Sequence, residues 1–129
     1  MIVFFYFFGA TIMALSIQNN VSALRAFSTQ VSVSANNVAN SLSDDFKTSR
    51  ALNTQGKDQQ VTATITKTPS PGPLVEDPLK NDGSLKELSN TDIAKELVQQ
   101  ISSGHGFNAN AKTIQTHEET IGSLLDLIG

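Results

Sequence analysis

The chain has 129 residues and contains neither cysteine nor tryptophan. Without cysteine there are no disulfides, no thiol nucleophile and no thiolate metal site. Aromatic side chains are also scarce, at 6%, and five of them crowd into Phe4-Phe5-Tyr6-Phe7-Phe8. Only Phe27, Phe46 and Phe107 are left to anchor a core elsewhere, so the chain is poorly equipped to close into a compact independent globule. Basic excess is absent as well: 9 Lys and Arg stand against 12 Asp and Glu, for a net charge of -3. Nucleic acid, which needs a basic face, is therefore not an expected partner. No glycine-rich phosphate loop and no Gly-x-Ser-x-Gly elbow occurs. His105 and His117, the only histidines, lie about 120° apart around a helix, which does not make a shared metal site. The expectation is a protein with no catalytic residue, no cofactor, no metal and no small-molecule substrate.

What the chain does have is helical rhythm. Ile17, Val21, Leu24, Val31, Ala35, Val38 and Leu42 recur at alternating steps of four and three, with only Ser28 breaking the series. This predicts a helix over 16–43, roughly 40 Å long, with an apolar seam laid against another helix. Its remaining faces carry Gln, Asn, Ser and Thr, and Arg25 is the only charged residue between Ser16 and Ser43. A solvated helix face normally carries Lys and Glu, so these neutral faces suggest protein neighbours on several sides.

A second helix is expected over 90–129, capped by Ser89 or Asn90, with Asp92 near its positive end. Leu97, Gly104, Ala111, Glu118 and Leu125 form one seven-residue series, interleaved with Phe107, Ile114, Ile121 and Ile128. Gly104-His105-Gly106 interrupts it at a cost of about 2 kcal/mol against alanine. Such a cost implies either a kink or a closely approaching neighbour.

Between the helices, residues 44–89 have a different texture. Val61, Ala63 and Ile65 alternate with Thr62, Thr64 and Thr66, the pattern of a half-buried strand, and an extended piece over 46–52 could pair with it. All four prolines, Pro69, Pro71, Pro73 and Pro78, follow, making a stiff connector that is neither helix nor central strand. Lys80-Asn81-Asp82-Gly83-Ser84 reads as a polar turn. The fold class expected is mainly α: two long terminal helices paired as an antiparallel coiled-coil hairpin around a small β and irregular middle.

The apolar extension over 1–15 has no Lys or Arg after the initiator, is short for a membrane span, and precedes a natural opening at Met13-Ala14-Leu15-Ser16. It is read as an artefact of start-site choice, with a signal peptide or a membrane anchor as the other readings.

The helical runs also carry a family resemblance. Ser22-Ala23-Leu24-Arg25-Ala26-Phe27, then Ala35-Asn36-Asn37-Val38-Ala39-Asn40, then Phe46-Lys47, resemble the N-terminal signature of bacterial flagellar rod and hook proteins. Where that family places Thr and Gly before the Phe, this chain has Ser43 and Asp45, and Asp tolerates left-handed turn geometry better than most residues. Asp92-Ile93-Ala94-Lys95-Glu96-Leu97-Val98, Gly106-Phe107-Asn108-Ala109-Asn110-Ala111-Lys112 and Gly122-Ser123-Leu124-Leu125-Asp126-Leu127 resemble the same family's C-terminal signature.

The resemblance implies a structural rod component of the flagellar basal body, closest to a short rod protein, exported by the flagellar export apparatus without a cleaved signal. Its partners would be other rod or hook subunits and further copies of itself. It implies an assembly interface built on the first helix from Ile17, Val21, Leu24, Phe27, Val31 and Val38, with Asn36, Asn37 and Asn40 hydrogen-bonding between subunits. On the second helix the interface would comprise Leu97, Phe107, Asn110, Ile114, Ile121 and Leu125. The competing reading is a soluble two-helix adaptor or chaperone-like module that holds a partner helix in the same seams.

Overall fold

The computed structural model describes residues 2–56, 59–80 and 82–128, with side chains described from Ile17 to Leu127 within those ranges. The elements are α1 (Ile2–Ala39), β1 (Ser49–Gln55), β2 (Val61–Lys67), β3 (Leu74–Glu76), β4 (Leu85–Glu87) and α2 (Ile93–Ile128). The chain is thus mainly α, with a small antiparallel β middle. Helix α1, expected over 16–43, instead spans 38 residues and stops at Ala39, which makes it about 57 Å long. The side chains of 1–15, on which the start-site reading turns, lie outside the described residues. Among the described residues no helix is long and apolar enough to cross a membrane.

A tight turn ends α1. Ser41 N–H donates to Val38 O and Ser43 N–H to Asn40 O, and Asp45 takes the left-handed conformation at φ 57°, as its place in the sequence suggests. Asp45 N–H then donates to Glu87 O (2.9 Å), tying the turn to β4. Leu42, expected as the last residue of the apolar series, lies in this turn at 93% exposure.

The middle segment forms two antiparallel hairpins. β1 pairs β2 in a register that sets Ala51 opposite Ile65 and Leu52 opposite Thr64; the two extended pieces pair as expected, but the one expected over 46–52 runs over Ser49–Gln55. The β3–β4 pair is new, because three residues on each side are too short to show alternation. Its connection holds the predicted polar turn, in which Ser84 N–H donates to the Asp82 carboxylate (2.9 Å) and Gly83 sits at φ 73°. The Ser84 side chain first, and this N–H after it, hold the Asp82 carboxyl below the usual carboxylate range. Pro69, Pro71 and Pro73 fall in a strap outside helix and strand.

Helix α2 begins at Ile93, and its cap is Asp92, whose carboxylate accepts from Lys95 N–H (3.1 Å). The sequence reading placed the cap at Ser89 or Asn90, but both side chains are engaged elsewhere: Ser89 bonds Thr91, and Asn90 holds the middle segment. The helix runs through Gly104-His105-Gly106 as one element, and the close neighbour is the Phe27 ring. A Cβ at Gly106 would lie 2.5 Å from Phe27 Cζ, whereas one at Gly104 would meet nothing within 4 Å.

Alanine should therefore act with opposite signs at these two positions. Gly104→Ala gains up to about 1 kcal/mol of helix propensity. Gly106→Ala loses about 1–3 kcal/mol to overpacking against Phe27, which outweighs the same propensity gain. The check is the midpoint of thermal helix loss in a stabilising osmolyte; equal shifts at both sites would contradict the Phe27 contact.

The two helices meet in opposite directions: Asn37 lies near Thr91, Ser34 near Glu96 and Gln100, Gln30 near Ser103, and Phe27 near Gly106. The seam between them is not the apolar one expected. Among the described residues the buried apolar side chains are Ala23, Ala26 and Ala51, while Ser34, Asn37, Thr48, Ser89 and Ser103 are buried polar ones. On α1 the facing positions Ala23, Gln30, Ser34 and Asn37 each come one residue before a member of the apolar series, Leu24, Val31, Ala35 and Val38. One residue is about 100° of helix rotation, so the period was right and the phase was not. Small hydroxyl and amide side chains satisfy one another across the seam, leaving the branched apolar side chains at its flanks, half-buried.

Candidate functional site: the helix flanks and their polar joints

Three polar side chains hold the architecture together. Asn37, fully buried, donates through Nδ2 to Ser49 O (2.7 Å) and accepts from Ser49 N–H (2.9 Å), pairing with the first residue of β1 as a neighbouring strand would. Its own carbonyl accepts from the Thr91 hydroxyl (3.2 Å) at the entrance to α2. The bonding expected of Asn37 between subunits is therefore made inside the chain, because burial leaves the amide no outward-facing atom. Asn90 accepts from Thr48 N–H (2.7 Å) and donates to Ser70 O (2.8 Å), clamping the proline strap. Gln30 donates to Ala51 O (3.3 Å) and accepts from the Ser103 hydroxyl (3.0 Å), joining β1 to α2 through α1. Asn90 and Gln30 were missed by sequence reasoning, since nothing in a local pattern says which distant backbone an amide will meet.

Asn37→Ala strands the N–H and C=O of half-buried Ser49, and a loss of about 1–3 kcal/mol is expected. Thermal melting in the same osmolyte measures it; a loss no larger than that of Asn36→Ala, at an exposed position, would contradict the assigned joint.

The strap has a charged latch. The Glu87 carboxylate pairs with the Lys47 ammonium and accepts from Gly72 N–H (2.5 Å). Lys47 first, and the Gly72 N–H after it, hold the Glu87 carboxyl below the usual glutamate range. A depressed carboxylate pKa contributes stability that is present above the unfolded value and lost as pH falls through the folded one. The latch is therefore fully formed at neutral pH and opens in acid.

The residues expected at an assembly interface fall into distinct places. Ile17, Val21, Leu24, Phe27, Val31, Val38 and Asn40 are half-buried along α1, as are Asn110, Ile114 and Ile121 on α2. Asn36 is exposed, beside a groove of about 370 Å³ that Val33 and Ile65 also line. Phe107, Leu97 and Leu125 are exposed by 39%, 48% and 64%. Leu97 is joined by Ile93, Val98 and Ile101, which are also exposed. With Ile93, Leu97 and Ile101 at four-residue spacing, these side chains make an apolar flank on the first turns of α2, turned away from the seam that holds Ser103. Among the described residues there is no cluster of three or more metal-ligating side chains.

Comparison with known families bears on this flank. Residues 82–127 match the family described as flagellar basal body rod FlgEFG protein C-terminal. No curated protein matches the chain. The matched stretch holds β4, the Asp92 cap and α2 up to Leu127, so the helix bearing the apolar flank lies inside it. Over residues 82–127, a minority of the chain, the sequence is thus similar to the C-terminal region of the flagellar basal body rod proteins.

Proposed function

We propose that the chain is a subunit of the basal-body rod that polymerises through its terminal helices and transmits torque for motility. The observation that carries this reading is the exposed apolar flank of α2, Ile93, Leu97 and Ile101, within the stretch matched by the rod family. An apolar flank on a helix of a structural protein calls for a neighbour. In this reading α1 and α2 pair as an antiparallel coiled coil and form the inner layer of a tube. The middle, 44–89, forms a small outer element or contacts neighbours. The half-buried series from Ile17 to Val38, with Asn36 and Asn40, and the α2 residues Leu97, Phe107, Asn110, Ile114, Ile121 and Leu125 form the contacts with other rod or hook subunits and with further copies. Export proceeds through the flagellar export apparatus without a cleaved leader.

Deletion of the gene tests this. The deletion strain should lose filaments and motility while its growth is unchanged. Normal flagella in that strain would remove the rod reading and favour a two-helix adaptor.

A further inference from the structure

Between α1, β1 and the start of α2 lies a cleft of about 280 Å³ whose lining includes Gln30, Ser49, Arg50, Lys95, Glu96 and Gln99. Lys47, Lys80 and Lys86 each have a carboxylate partner, but among the described residues Arg50 and Lys95 have none. Two unpaired cations, one from β1 and one from α2, thus border one cleft, with Glu96 as the only acid on its lining.

The opposite end of the same helix has the complementary imbalance. After Lys112 the sequence contains Glu118, Glu119 and Asp126 and no Lys or Arg, and the last turn of α2 has no basic residue. Carboxylates at a helix C-terminus oppose the macrodipole, which favours cations there. Gln115 gives Glu119 one amide hydrogen bond (2.8 Å), but among the described residues no Lys or Arg pairs with these carboxylates. Lys95, in the first turn, is likewise a cation where the dipole favours anions, though Asp92 and Glu96 lie beside it.

We propose that the Arg50 and Lys95 cleft receives the acidic end of α2, Glu118, Glu119 and Asp126, from a second copy of this chain. The contact rests on the polymerising reading above and gives it a direction. The end of one α2 meets the start of the next, so that the helix dipoles run head to tail and both misplaced charges gain a partner. Such a contact joins two different surfaces, so it continues from copy to copy as an open filament wherever the rotation between copies does not close a ring.

The absence of native cysteine makes the test direct. Lys95→Cys and Asp126→Cys, combined in the full chain, are oxidised mildly in purified basal bodies. A ladder of covalently linked copies is expected, with no ladder from either single variant. In a second measurement Arg50→Glu lowers incorporation about fivefold, the size of one good surface ion pair, and adding Glu119→Arg restores it. Incorporation without a ladder would overturn the contact and leave the polymer standing. Linkage to a different protein would overturn the second copy as occupant. Absence of the unmodified chain from basal bodies would overturn the rod reading itself.

Discussion

A dilute free subunit comprising residues 13–129 is expected to show low helicity by circular dichroism and fast hydrogen exchange over residues 17–38 and 114–127, with slower exchange confined to residues 61–65. The reason is the composition of its interior. The buried apolar side chains among the described residues are alanines, and each removes little apolar surface from water. Ordering backbone costs roughly 1–2 kcal/mol per residue, and a seam of Ser, Gln and Asn offers only about 0.5–1.5 kcal/mol per hydrogen bond against it. Two helices of more than 50 Å each (from about 1.5 Å per residue) therefore need burial from neighbours. The β1–β2 hairpin keeps its order longest because its seven-residue ladder is local. A strongly helical, cooperatively melting monomer would contradict this and favour the adaptor.

The second large effect concerns the flank. Leu97→Asp and Ile101→Asp should leave the subunit's own circular dichroism unchanged, since both side chains are already substantially exposed, by 48% and 62%. In the assembly the same carboxylate would be buried without a partner, at a cost of several kcal/mol. Incorporation into basal bodies, followed by immunoblot, should fall below detection for both variants. Thr64→Asp, on the exposed face of β2, should incorporate normally. Equal incorporation of all three would mean that the flank is not an interface.

These two effects divide along what the sequence could and could not convey. Helical period, the β1–β2 pairing and the left-handed Asp45 were legible, because each follows from local spacing or from the backbone tolerance of one residue type. The phase of the hairpin seam was not. Hydropathy singles out Leu24, Val31 and Val38, but the helices close on Ala23, Gln30, Ser34 and Asn37, whose small or polar side chains let backbones approach and bond one another. A rule that ranks positions by apolarity puts such a seam on the wrong face. The Asn90 and Asn37 joints were illegible for a related reason: an asparagine that caps a helix and one that mimics a strand look alike until the distant backbone is in place. The two glycines were half-legible. Their cost was visible, but only the Phe27 ring separates Gly106, which packs, from Gly104, which does not.

Thiol labelling tests the central claim most directly, that the apolar flank of α2 is covered by neighbouring subunits. Leu97→Cys and Ile101→Cys can be introduced singly into a chain with no other cysteine, alongside Thr64→Cys, on the exposed face of β2, as a solvent-facing control. All three should react rapidly in the free subunit. In purified basal bodies Leu97→Cys and Ile101→Cys should be protected while Thr64→Cys still reacts; equal labelling at all three positions in the assembled structure would contradict the account.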